Sequence, residues 1–161
     1  MDPRITKSSV LSLGLLFLSF TAPALASQFH ACSTASGAGD WAYSYSGTVI
    51  LPTGPVPVAT VGRFTAFANG TFTGTQTRSI GGDVAEETIT GTFSGKADCT
   101  VTYTASVFQS GVLVRTATLA TVTDNNGRSS RGIFTSLALA DGTNLPNVIT
   151  VEAERIFTDA N

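Results

Sequence analysis

Lysine is nearly missing from this chain of 161 residues, which carries only Lys7 and Lys96, and charged side chains of all kinds make up 12%. Nine basic residues against eleven acidic ones leave a formal net charge of −2. That removes the basic surface that nucleic acid or an anionic membrane would need. Histidine occurs once, at His30, and cysteine twice, at Cys32 and Cys99. A zinc site of the usual Cys/His kind is thereby short of ligands, and the wide cysteine spacing excludes a CxxC redox motif. No GxSxG, HExxH or phosphate-cradling glycine loop is written, and no cofactor-binding motif. A Ser-His-Asp arrangement would rest on His30 in an N-terminal tail, where a base is poorly held. Glu86 and Glu87 are adjacent, so on a strand they point to opposite faces and cannot act as a carboxylate pair. The longest apolar run, Val10–Phe20, has 11 residues; spanning a bilayer takes about 20.

That short run is itself informative. It follows Arg4 and Lys7 and precedes "TAPALA", whose Ala24-Leu25-Ala26 is a small-x-small cleavage pattern. Residues 1–26 therefore read as a secretory signal peptide, and the product as secreted or periplasmic, without a transmembrane segment after cleavage. Residues 27–39 form an N-terminal segment, 40–157 a single domain and 158–161 a tail. Export makes the even cysteine pair a candidate disulfide, Cys32–Cys99, with two separate free thiols as the alternative.

Within the domain, Thr, Val, Ile and aromatic residues alternate, and Gly, Asn and Asp punctuate at regular intervals, which is the pattern of strands and tight turns. Eight segments can be drawn. They are Asp40–Leu51, Val58–Ala68, Thr71–Ser79, Val84–Ser94, Cys99–Phe108, Val112–Thr123, Arg128–Leu139 and Asn147–Phe157. "PTGPVP" lies before the second as a connection. Asn69-Gly70 is a strong hairpin signal. With Gly81-Gly82 as a two-residue turn, Phe72 pairs with Gly91, Gly74 with Ile89 and Gln76 with Glu87. One face of this hairpin then carries Phe72, Gln76, Arg78, Glu87, Ile89 and Phe93, and the other a ladder of threonines suited to water.

Eight sequential antiparallel strands with short turns describe a meander, which hides its edges most economically by closing into a barrel. The expected fold is an all-β, eight-stranded antiparallel meander barrel. A two-sheet β-sandwich is the alternative, disfavoured because its crossovers need long connections. Such a barrel is either filled by side chains or holds one small ligand. Strand parity places Arg131, Ile133, Thr135, Leu137 and Leu139 inward on the seventh strand, Arg155 inward on the last, and Arg63 between Val61 and Phe67 on the second. Arg131 and Arg155 then share one barrel end with Trp41 and Tyr43, while Glu87 and Arg78 belong to the other. Arg115 stays open: a two-residue turn at Ser110-Gly111 points it outward, a three-residue turn inward.

The resulting expectation is a secreted, non-enzymatic barrel that binds a small apolar or amphipathic molecule. Trp41, Tyr43, Phe64, Phe72 and Tyr103 supply its walls, and Arg131 and Arg155 orient a polar head. One alternative is a cavity-free structural or interaction module of the cell exterior, working through its threonine-rich outer faces. A second is a small barrel isomerase or cyclase using Glu87 or an arginine.

Several runs together, among them "GTFTGTQTRSIGG", "ETITGTFSGKADCT" and "RGIFTSLALADGTNLPNVITVEAERIF", resemble a group of small secreted bacterial proteins over about Cys32 to Phe157. Those proteins typically carry the "DCT" cysteine (Cys99 here) and an early one (Cys32 here), so the resemblance also implies the disulfide. It implies fold and export, and no mechanism. The barrel is similar in shape to lipocalin-like (calycin) binders and more distantly to allene oxide cyclase and dirigent barrels. The lipocalin Gly-x-Trp is absent, "GDW" (Gly39 to Trp41) being a near miss.

Overall fold

Alternation of β-branched and aromatic residues with polar ones does give strands from end to end. The computed structural model describes residues 32–124 and 127–156. The signal peptide, His30, Phe157 and the tail lie outside the described residues. The strands are β1 (Gly39–Leu51), β2 (Gly54–Ala66), β3 (Thr71–Ile80), β4 (Asp83–Gly95), β5 (Thr100–Gln109), β6 (Val112–Asp124), β7 (Ser129–Leu139) and β8 (Asn147–Arg155). All neighbours pair antiparallel in sequence order, and β1 pairs with β8, so the sheet closes into a barrel. Closure rules out the sandwich and leaves no free edge.

The β3–β4 hairpin has the register the threonine ladder demands, with Phe72 opposite Gly91, Gly74 opposite Ile89 and Gln76 opposite Glu87. Gly81 and Gly82 both have positive φ, 59° and 93°, as a two-residue hairpin turn that follows the sheet twist requires. Outside lie Thr73, Thr75, Thr88, Thr90 and Thr92, all exposed. Inside, Phe72, Ile89 and Phe93 join Trp41, Ala66, Ala105 and Val107 in one core cluster, while Val49, Val58, Ala117, Leu137 and Ile149 form a second.

Three expectations are corrected. β2 begins at Gly54, not at Val58, although Pro55 and Pro57 lie in it. Pro57 O accepts from Gly81 N beyond the end of β3, so the missing proline N–H groups point where no ladder partner is needed. Arg63 and Val61 are exposed on the outer face of β2, whose inner residues are Val58, Thr60, Gly62 and Phe64. The third correction concerns β7. The β6–β7 register shifts between Thr118 and Leu119: Thr118 faces Ser136, Leu119 faces Phe134, and Thr135 is the extra residue. A bulge reverses the side-chain faces on one side of it. Leu137 is inward as expected, but before the bulge the inward residues are Ser130, Gly132 and Phe134, and Arg131 and Ile133 are exposed.

The two barrel ends differ. Around the first, Cys32 and Cys99 form the disulfide, and residues 32–38 with a single 3-10 turn, Ala35–Gly37, lie across the opening as a cap. Gly95 N donates to Thr34 Oγ1, and Trp41 Nε1 donates to Gly37 O. The second end carries the turns after β1, β3 and β5 and the 140–146 connection, which folds back through bonds from Leu145 N to Leu137 O and Ile50 N to Pro146 O.

Candidate functional site

Halfway along the barrel the inner faces of four strands contribute polar side chains to one network. Glu87 on β4 has a fully buried side chain. Its Oε1 accepts from Arg115 Nη1 at 2.8 Å and Arg78 Nε at 3.0 Å. Its Oε2 accepts from Gln76 Nε2 at 2.7 Å and, in a short contact, from Arg115 Nη2. Four donors thus occupy the four lone-pair positions of one carboxylate. Tyr43 donates to Gln76 Oε1 at 2.6 Å, and Arg78 Nη1 reaches the exposed Asp83 carboxylate at 2.7 Å.

Burial pushes the Glu87 carboxyl up, but the hydrogen bonds from Arg115 and Gln76, the Arg115 charge and the Arg78 bond outweigh it. The carboxyl is held below the usual carboxylate range. Burial alone would lower the Arg115 guanidinium; its bonds to Glu87 turn the shift upward. Burial raises the Tyr43 phenol, with the Tyr45 and Glu87 charges adding to it, so Tyr43 remains a donor.

Arg115 points inward even though Ser110-Gly111 is a two-residue turn with both φ positive, 51° and 80°. The β5–β6 register shifts between Val107 and Phe108, so that Val107 faces Arg115, Phe108 faces Leu113 and Val114 is extra. This second bulge supplies the added residue that turn length did not.

On either side of the network lies a cavity. The inner chamber, about 80 Å³, sits toward the cap and is walled by Tyr43, Tyr45, Phe64, Phe72, Tyr103 and Phe134, with Ser130 and Thr121 among its polar lining. None of its lining residues is exposed. The outer chamber, about 260 Å³, has aliphatic walls that include Val49, Val58, Ile80, Leu137 and Ile149. Gln109 and Leu139, both exposed, also line it, so it reaches the surface at the turn end. Arg78 and Arg115 are its charged lining; Tyr45, Phe134 and Arg115 belong to both chambers and form their common wall.

Of the residues expected from sequence, Tyr43, Phe64, Phe72 and Tyr103 come together around the inner chamber. Trp41 is not in its lining; it is 2% exposed and belongs to the roof, stacked on Phe64 at 6.2 Å. Arg155 does face the barrel end, but its guanidinium lies 4.9 Å from the Trp41 ring centre and donates to Ala38 O at 2.9 Å and Ser36 O at 2.8 Å. It clamps the cap. Arg131, exposed on the outer face opposite Val122 and Glu152, is not part of the lumen. Glu87 lines neither chamber. Sequence reasoning left the direction of Arg115 open and missed Ser130 and Phe134, because a bulge shifts the register at each. It had Gln76 and Arg78 on the face of Glu87, which was the available signal for the network.

Among solved structures, the chain is similar to EF1p2_mFAP2b bound to DFHBI, with TM-score 0.52 and 13% identity over 75% of this chain and 94% of that one. The redesigned β-barrel mFAP1 bound to DFHBI gives TM-score 0.49 at 15% identity, over 76% of this chain and 97% of that one. Rv2717c from M. tuberculosis gives 0.39 at 14% identity, over 76% and 94%. No family model and no curated protein matches the sequence. At such identities the first of these supports the small β-barrel fold and nothing finer.

Proposed function

We propose that this chain is an exported, non-enzymatic β-barrel that holds a small amphipathic molecule, its apolar tail in the outer chamber and an anionic head at Arg78. One observation carries this reading: an aliphatic chamber of about 260 Å³ reaches the surface and has Arg78 and Arg115 in its lining. Its size lies just below the roughly 300–1,000 Å³ of pockets for drug-sized ligands, and apolar walls with few convergent polar groups are their usual composition. Arg115 is bonded twice to Glu87, whereas Arg78 meets that carboxylate through Nε and otherwise pairs with Asp83, which is exposed, so that pair is screened by water. The Arg78 guanidinium is therefore the charge that an anionic head would meet. The disulfide supports an oxidising compartment, secreted or periplasmic.

The isomerase or cyclase reading is less well supported, because four donors occupy the Glu87 oxygens and Glu87 lines neither chamber. A general base needs a free lone pair within reach of its substrate. The test is displacement of a hydrophobic fluorescent dye by dodecanoate, with dodecanol as the uncharged control. Dodecanoate should displace the dye more strongly than dodecanol, and Ile149→Trp should abolish both. Failure of dodecanoate to displace the dye and to bind by calorimetry, or displacement by dodecanol as strong as by dodecanoate, overturns the reading.

A further inference from the structure

We propose that the inner chamber is a second binding site, for a neutral single-ring aromatic molecule carrying one hydrogen-bonding group, held between aromatic walls with its polar group on Ser130. This stands independently of what the outer chamber takes.

The walls are built to leave space. Gly62 and Gly91 face inward on β2 and β4, and a Cβ on either would approach the Tyr43 ring to 2.8 Å or the Phe72 ring to 2.7 Å. The two rings therefore lie flat against bare backbone instead of crossing the lumen. Ala105, Ala117 and Ala153 complete the wall with short side chains. The volume of about 80 Å³ corresponds to roughly five to eight water-sized spheres at about 10–15 Å³ each, and dry apolar cavities take up benzene-like molecules. Phe64 and Phe72 meet Tyr103 edge-on, at 6.2 and 5.9 Å, the geometry in which aromatic rings attract one another and would attract another ring. The outer chamber, walled by Val, Leu and Ile, offers an aliphatic ligand nothing less, so it is the ring that distinguishes the inner one.

Of the fully buried polar atoms without a hydrogen bond among the described residues, one belongs to this lining. Ser130 is 4% exposed and among the residues that line the chamber, and its buried Oγ has no hydrogen-bond partner. A hydroxyl buried without a partner is costly, and native interiors rarely keep one. The Arg115 guanidinium, also in the lining, is bonded twice to Glu87, so no free counter-charge faces the chamber and an ionised ligand is disfavoured. Burial pushes the Tyr103 phenol up to about 12, consistent with walls that stay uncharged.

The test uses the disulfide-intact protein and 4-fluorophenol, followed by its ¹⁹F NMR shift, with cyclohexanol and fluorobenzene as matched probes lacking the ring or the hydroxyl. Fluorophenol should bind at millimolar concentration and outcompete cyclohexanol. Ser130→Ala should weaken fluorophenol by roughly three- to tenfold, the value of one hydrogen bond, and leave fluorobenzene unchanged. Because this variant removes an unpaired hydroxyl, it should fold at least as well as the parent. Ala105→Leu should exclude both aromatics while dodecanoate still displaces dye from the outer chamber. No fluorophenol binding, equal binding of cyclohexanol, or an unchanged affinity in Ser130→Ala overturns the proposal.

Discussion

Glu87 is the residue on which the lumen depends, because its two oxygens hold side chains from β3 and β6 in place at once. Taking one partner out of a buried ion pair strands the other, at a cost of about 3–5 kcal/mol. Glu87→Gln, nearly the same shape, should therefore destabilise the fold by about that amount at neutral pH, measured by denaturant unfolding. The sign of its pH dependence follows from the carboxyl being held below its usual range. Its contribution is complete above the unfolded value of about 4.3 and is lost as pH falls through the lower folded value. The gap between parent and variant should stay constant from neutral pH down to about 4.3 and close below it. Asp98 and Asp141 are also held low, the first by the Thr100 side-chain bond and the second by the Thr143 backbone bond. Both titrate alike in the two proteins and cancel from the difference. A gap that widens on acidification would mean that Glu87 does not anchor the network.

At the scale of strands, what the sequence made legible is what period two encodes. On β4 the residues Glu87, Ile89, Gly91 and Phe93 face inward between exposed threonines, and the pattern of alternation alone placed them so. Two bulges were illegible for a physical reason: Ile133 and Phe134 are both apolar, as are Leu113 and Val114, so sliding the face by one residue leaves the hydrophobic pattern intact. Those slips decide that Arg131 is outside and that Arg115 and Ser130 are inside, and hence where the candidate sites lie. The pairing of Gly91 with Phe72 was readable from the hairpin, but the closeness of the approach was not. A Cβ on Gly91 would lie 2.1 Å from Thr104 O on β5 and 2.7 Å from the Phe72 ring on β3. Gly91→Ala should thus force the backbone of β5 or the Phe72 ring to move, with a loss of about 2 kcal/mol or more, in the range of overpacked cores. Equal stability of Gly91→Ala and the parent in urea unfolding would show that the wall yields freely.

For the whole molecule, the unequal ends matter most, since the cap makes one end a lid and leaves the other as the approach to the lumen. Four ties hold the cap: the Cys32–Cys99 bond, Gly95 N to Thr34 Oγ1, Trp41 Nε1 to Gly37 O, and the Arg155 guanidinium to Ser36 O and Ala38 O. The disulfide spans 67 residues of sequence, and closing a loop of that length stabilises by about 4 kcal/mol through the unfolded chain. The Cys32→Ser/Cys99→Ser double variant should lose about 2–5 kcal/mol in denaturant unfolding, and the denatured, unreduced parent should show no reaction with a thiol reagent. The three remaining ties are non-covalent and act on the native state, so they predict what that variant looks like while folded. Trp41 is 2% exposed beneath the cap, and its emission reports whether the segment is still seated. If Arg155 and Thr34 suffice, the folded double variant keeps the buried emission of the parent, and the disulfide acts on the unfolded state alone. A red-shifted emission before the unfolding transition would instead mean that the covalent tie also keeps the lid shut, and the inner chamber would then open from the capped end whenever Cys32 and Cys99 are reduced.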